Sequence, residues 1–323
     1  MTTILVTDYD FPDLAEERAV FEGTDVEIVE GQAKTAADVA DLAAEWEADA
    51  LLNQYAPVDA TVFEAAPSVR VVARYGRGVD NVNVNDATDH GVFVASVPAY
   101  CTDEVSTHAL ALLLACQRNV VGYDRSIKSG TWDWTEGKPM RRLSSQRLGL
   151  VSFGGIARQL AERAQCLDLE VVSFDPYVDE DEMRAAGVEP LEFERLLETS
   201  DAVSVHAPLT EETHHLFDAD AFAQMRETAY LVNTARGGLV DEDALADALE
   251  AGELAGAGLD VLTNEPPTDS PLVGREDVVL TPHVAWYSED SRAELQRRTA
   301  ENARDVLAGE VPEGVVNPKV TGK

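Results

Sequence analysis

A chain of 323 residues with 60 acidic and 25 basic side chains carries a formal net charge of −35, while 45% of its residues are hydrophobic. That apolar share builds folded cores, the length suits two α/β domains, and the acidic balance excludes charge-driven binding to nucleic acid or anionic membrane. No apolar run reaches membrane-spanning length, and the short run Ile4-Leu5-Val6 reads as a first strand and not as a signal peptide, so a cytoplasmic protein is expected. The acids are spread over helix faces, as in residues 38–47 and 179–182, which is a solvated coat of the kind that suits high salt. Cys101, Cys116 and Cys166 are odd in number and have no metal-type spacing, so each is expected as a small packed residue, with no disulfide and no metal site.

In chain order, Ile4-Leu5-Val6, Val26-Glu27-Ile28-Val29, Ala50-Leu51-Leu52, Val71-Val72-Ala73 and Val92-Phe93-Val94 are predicted strands. Ala/Glu-rich stretches with helical periodicity, such as residues 35–47, lie between the early ones, which makes βαβ units and a parallel sheet. A long apolar helix is predicted over about residues 103–118, followed by a polar, Trp-containing stretch over 126–147. A second βαβ series then starts at Leu148, with six strands ending at Val278-Val279-Leu280, and a last helix spans roughly 288–307. Six strands is the count of a complete dinucleotide-binding domain.

Three features carry chemistry. Ser152-Phe153-Gly154-Gly155-Ile156-Ala157 sits between a strand and a helix, where a G-x-G-x-x-G turn would hold a pyrophosphate. Gly154 allows close backbone approach and Ala157 is a small substitute for the last glycine, while Ser152 stands in the first glycine's place. Asp175 ends the following strand, 23 residues after Ser152, with no arginine close behind. An acid there accepts hydrogen bonds from ribose hydroxyls and repels a 2′-phosphate, which favours NAD over NADP. Arg236, Glu265 and His283 each follow a later strand, and ligands of doubly wound folds bind at those carboxyl ends.

Together with Arg74-Tyr75-Gly76-Arg77-Gly78-Val79-Asp80-Asn81, Val97-Pro98, His206-Ala207-Pro208-Leu209-Thr210, the stretch 233–241, Gly258-Leu259-Asp260-Val261, Glu265-Pro266 and Thr281-Pro282-His283, these motifs resemble the D-isomer-specific 2-hydroxyacid dehydrogenases over nearly the whole chain. The run His283-Val284-Ala285-Trp286-Tyr287-Ser288-Glu289 is most similar to the C-terminal-binding-protein-like branch, where a tryptophan reaches the substrate pocket; Trp286 reads equally well as a core aromatic.

The resemblance implies two Rossmann-like or flavodoxin-like domains with parallel sheets. The cofactor domain (101–289) is inserted into a discontinuous substrate domain (1–100 plus 290–323), with the active cleft between them. It implies an NAD-dependent enzyme interconverting a small 2-keto acid and a D-2-hydroxy acid. His283 would be the acid/base, Glu265 its orienting partner, and Arg236 the group that grips the substrate carboxylate. The backbone around Gly76, Arg77 and Gly78 would complete that carboxylate site, with Arg74 a second candidate. Gly154, Gly155, Ile156, Asp175, His206, Thr234, Ala235 and Asp260 fall at cofactor positions. Residues 103–147 would form a homodimer interface. Arg77 either favours a more anionic substrate or faces solvent among surface acids. Two rivals stand beside the main reading: an NAD(H)-sensing binding protein, and a dehydrogenase of a phosphorylated hydroxyacid.

Overall fold

The computed structural model describes residues 1–321. They form two compact units, one of residues 1–100 with the described residues from 288 onward, the other Cys101–Tyr287.

The first unit is built on β1 (Thr2–Val6), β2 (Val26–Glu30), β3 (Ala50–Asn53), β4 (Val71–Arg74) and β5 (Phe93–Ala95). All pair in parallel, in the order β2-β1-β3-β4-β5. The central strands are continuous apolar runs because helices cover both faces: Ile4, Leu5, Leu51, Leu52, Val71 and Val72 are all fully buried. The helix Ala36–Glu45 starts at a capping box in which the Thr35 hydroxyl accepts from the Asp38 amide and the Asp38 carboxylate accepts from the Thr35 amide. The helix Glu289–Leu307, capped by Ser288, comes from the far end of the chain and packs against β3, β4 and the helix Ala15–Val20. The free edge of β5 is covered by the segment that follows: Val316 N donates to Val94 O, and Asn317 accepts from Val94 N while donating to Val92 O.

The second unit carries β6 (Arg147–Val151), β7 (Glu170–Phe174), β8 (Glu189–Pro190), β9 (Ala202–Val205), β10 (Tyr230–Asn233), β11 (Gly256–Leu259) and β12 (Val278–Leu280). Its sheet is also parallel, in the order β12-β11-β10-β9-β6-β7-β8. Strand order reverses between β6 and β9, which creates the crevice that dinucleotide folds use. The sheet thus has one strand more than the six expected. The extra one, β8, is a two-residue edge strand ending in Pro190, too short and too poor in donors to show a strand pattern. The helix Thr102–Gln117 lies against β11, where Leu112 and Cys116 come so close to Gly258 that a side chain there would press on both. The helix Val120–Lys128, none of whose residues is buried, runs into the start of the polar stretch predicted over 126–147. Cys101 and Cys116 are packed as expected, but Cys166 is exposed, because it caps the helix Gly155–Gln165 at the surface.

Among the described residues no helix is long and apolar enough to cross a membrane, and no group of three or more potential metal ligands occurs.

Candidate active site

The glycine turn of the second unit follows β6 directly. Ser152 takes φ +77°, the left-handed conformation that a first glycine would supply freely. Gly154 is the N-cap of the helix Gly155–Gln165, so the helix opens with unpaired amides at the carboxyl edge of the sheet. A side-chain carbon on Gly154 would meet nothing within 4 Å, and one on Gly155 would reach only Thr102 Cγ2 at 4.0 Å. The turn therefore leaves its backbone open to a phosphate. Ile156 is half-buried one residue later, while Phe153 and Ala157 are fully buried beneath the turn and fix it on the core. Asp175, just past β7, accepts hydrogen bonds from Phe153 N (2.8 Å), Ser152 Oγ (3.1 Å) and Tyr177 N (2.8 Å).

Across the switch point, His206 N donates to Val151 O at 2.9 Å, and the His206 ring meets Ser204 Oγ at 2.9 Å. After β10, buried Asn233 organises the next turn: its side chain accepts from Ala235 N and donates to Arg236 O, both at 2.9 Å. Thr234 Oγ1 is buried there with no hydrogen-bond partner among the described residues, which leaves it in need of one from a bound molecule. This orphaned hydroxyl, the open Gly154 backbone and the helix N-terminus together fit a dinucleotide. Gly237 is required by close approach, since a side chain on it would collide with the Leu262 carbonyl. That contact brings the Arg236 turn against the backbone leading to Glu265.

Glu265 and His283 are hydrogen-bonded through Glu265 Oε2 and His283 Nδ1 at 2.6 Å. The other oxygen of Glu265 accepts from Leu262 N at 3.0 Å. Burial pushes the Glu265 carboxyl up, but the His283 ring, the Leu262 amide and the Arg236 charge outweigh it and hold the group below its ordinary value. It is thus a carboxylate at neutral pH, and it orients the ring so that Nε2 is the nitrogen turned to other chemistry. Nearly half of the His283 side chain is exposed (46%), so the ring is accessible.

His283 itself has φ +52°, a strained backbone for a residue with a side chain. Asp260 maintains it. The Asp260 carbonyl accepts from His283 N (2.8 Å), and its fully buried carboxylate accepts from Thr281 Oγ1 (2.6 Å), Val284 N (2.9 Å) and Ala285 N (2.8 Å). His108, on the helix Thr102–Gln117, completes the cluster, with Nε2 2.9 Å from Thr281 Oγ1 and 3.5 Å from Asp260 Oδ1. His108 and Asn233 were not among the residues singled out from sequence. The sequence signal for His108 was its place at the head of the apolar helical run 109–116. Trp286 is half-buried, its ring edge-on to Tyr287 at 5.5 Å, and so is not a fully enclosed core aromatic.

The remaining predicted residues lie in the first unit, at the end of β4 and on the loop after it. Gly76 has φ +147°, and the Arg74 guanidinium lies over it where any side chain would go. Tyr75, between them, is buried and donates its hydroxyl to fully buried Glu17 at 2.8 Å, and Gln296 Nε2 donates to the same carboxylate. Burial pushes the Glu17 carboxyl up despite these donors. This buried network anchors the loop that presents Gly76, Arg77 and Gly78. Arg77 is exposed and faces solvent, and it forms no ion pair among the described residues.

The family model for the NAD-binding domain of D-isomer specific 2-hydroxyacid dehydrogenases matches residues 110–285. A glyoxylate reductase of Korarchaeum cryptofilum is 43% identical over 271 residues, covering 82% of this chain and 81% of that protein. A D-3-phosphoglycerate dehydrogenase of Mycobacterium bovis is 42% identical over 287 residues, covering 86% of this chain; the chain spans about half (54%) of that longer protein. Among solved structures, a protein of Thermus thermophilus superimposes with a TM-score of 0.87 at 33% identity, covering 98% of this chain and 100% of that one. The NAD-complexed D-isomer specific 2-hydroxyacid dehydrogenase of Lactobacillus delbrueckii ssp. bulgaricus gives 0.82 at 26% identity, covering 98% and 100%. Sheet order, glycine turn and matches over most of the chain agree: this chain belongs to the D-isomer-specific 2-hydroxyacid dehydrogenase family and is an NAD-dependent enzyme.

Proposed function

We propose that the chain interconverts a small 2-keto acid and its D-2-hydroxy acid, with His283 as general acid/base, Glu265 as its orienting carboxylate and Arg236 as the carboxylate grip. The observation that carries this reading is the 2.6 Å hydrogen bond between Glu265 and His283 Nδ1. Bound NAD(H) supplies or accepts the hydride. In reduction His283 passes its Nε2 proton to the keto oxygen, and in oxidation it takes that proton back. The Glu265 carboxylate keeps the ring in register through its hydrogen bond to Nδ1. Arg236 is suited to a planar carboxylate because its guanidinium offers a fixed fork of donors. In the first unit, the Gly76–Gly78 turn, anchored through Tyr75 and Glu17, is proposed to offer backbone amides to a carboxylate. Gly154, Gly155 and Ile156 would hold the pyrophosphate, Asp175 the adenosine ribose, and His206, Thr234, Ala235 and Asp260 the nicotinamide half, with Trp286 beside the substrate.

Two relatives point to different acids, one named for glyoxylate and one for 3-phosphoglycerate. Arg77 favours a second reading within the same chemistry, a phosphorylated hydroxyacid, because it is an exposed cation in a chain of net charge −35. A panel of glyoxylate, pyruvate, hydroxypyruvate and 3-phosphohydroxypyruvate, assayed by consumption of NADH and NADPH, separates these. The expected result is turnover of at least one keto acid with NADH preferred. Tight NADH binding with no turnover of any panel member would instead favour a dinucleotide sensor. If Arg77 meets a phosphate, Arg77→Ala raises KM for 3-phosphohydroxypyruvate alone.

The enzyme is further proposed to work as a homodimer. Between Arg118 and Arg147 lie seven bases (Arg118, Arg125, Lys128, Lys138, Arg141, Arg142, Arg147) against Asp124, Asp133 and Glu136, a reversal of the overall charge. The same segment exposes Trp132 (88%) and Trp134 (72%). A basic, aromatic surface on an acidic chain suits a second copy of that chain. Sedimentation equilibrium is expected to give twice the chain mass of 35.0 kDa, and a monomer at micromolar concentration would refute the assignment.

A further inference from the structure

The glycine turn has Ser152 in its first glycine's place, and that residue touches the acid assigned to the ribose. A carboxylate offers about four acceptor positions, two on each oxygen. On Asp175, Oδ2 is used twice, by Phe153 N at 2.8 Å and Ser152 Oγ at 3.1 Å, and Oδ1 once, by Tyr177 N at 2.8 Å. A ribose diol brings two O–H donors, yet a single position remains open. The two backbone amides belong to the turns and would be present with any side chains. The Ser152 hydroxyl is different, because a glycine at this position would have none. Ser152 also holds its place at φ +77°, where a residue with a side chain is strained and glycine is not.

We propose that Ser152 is a specificity-determining residue for the adenosine ribose: its hydroxyl occupies an acceptor position on Asp175 and so loosens the hold on the cofactor's diol. The inference rests on the reading of Asp175 as the ribose acceptor. It predicts that the chain binds NADH less tightly than the same fold with glycine at 152, while the Asp175 charge still repels a 2′-phosphate. Loosened dinucleotide binding favours rapid exchange of NAD and NADH, a step that limits turnover in many enzymes.

The test is direct binding of NADH, and of its analogue with 2′-deoxyadenosine, measured by calorimetry on the wild type, Ser152→Gly and Ser152→Ala. Both substitutions remove the hydroxyl, but only glycine relieves the backbone. The expected result is that both variants bind NADH about 10- to 150-fold more tightly, the scale of one hydrogen bond to a charged acceptor. Both should also show a larger preference for NADH over the deoxy analogue than the wild type does. Tightening in Ser152→Gly alone would assign the effect to backbone strain and overturn the proposal, as would no tightening in either. Asp175→Asn separates the proposal from the reading beneath it. If Asp175→Asn weakens NADH binding while Ser152→Ala does not tighten it, the ribose role stands and the Ser152 proposal fails. If Asp175→Asn leaves NADH affinity unchanged, both fail.

Discussion

Replacing His283 with asparagine lowers kcat for keto-acid reduction by about 10²- to 10⁴-fold, the usual contribution of a positioned acid/base, and leaves the dissociation constant of NADH unchanged. Asparagine preserves a polar side chain and tolerates the φ of +52° at this position, so the loop keeps its course and the loss is chemical. Its amide has no proton to exchange at neutral pH. Arg236→Lys provides the contrast. The charge remains but the fork is lost, so KM for the keto acid rises more than kcat falls. Stopped-flow and steady-state kinetics on the two variants check both statements. A His283→Asn enzyme with wild-type turnover would remove His283 from the mechanism.

Asp260→Asn is expected to damage stability and activity together. The buried carboxylate accepts one hydroxyl and two backbone amides, spread over both oxygens. An asparagine of the same shape must turn its NH₂ toward at least one of these donors, leaving a buried N–H or O–H without an acceptor. Such an orphan costs about 1–3 kcal/mol, and the loop that fixes His283 is the part that relaxes. The second unit should unfold at lower urea concentration with an unchanged m-value, and kcat should fall by about tenfold or more, on the scale of a misplaced catalytic group. The pairing of effects distinguishes Asp260 from His283, whose loss affects rate alone. Asp260→Asn with full stability and reduced kcat would mean that Asp260 acts on bound molecules and not on the loop.

The strands were readable because the central ones are short, mostly apolar runs, as in Ala50-Leu51-Leu52, buried on both faces. The same logic explains what was not readable. The strand β8 has two residues, one of them Pro190, and lacks any pattern. The helix Val120–Lys128 buries nothing, so its apolar residues form no stripe against a core within the chain. For the site, strand-end position and chemical type were enough to single out Glu265 and His283, which are in direct contact. His108 and Asn233 escaped because they act through other residues: one on Thr281 and Asp260, the other on the Arg236 turn. Ser152 was legible as a missing glycine, but its hydroxyl bond to Asp175 depends on a dihedral angle that no residue pattern reveals.

The helix Glu289–Leu307 has a consequence for the order of synthesis. It packs against β3 and β4 and the helix Ala15–Val20, yet residues 101–287 emerge from the ribosome in between. The second unit is continuous and can close its sheet as soon as β12 is translated. The first unit is translated earlier and completed later, because Leu295, Ala300, Ala303 and Val306 of its covering helix are still unmade when its five strands are already in solution. For that interval the nascent chain carries a half-covered apolar sheet. A chaperone that binds such surfaces is therefore expected to engage residues 1–100 and to release them once residue 307 is clear of the tunnel.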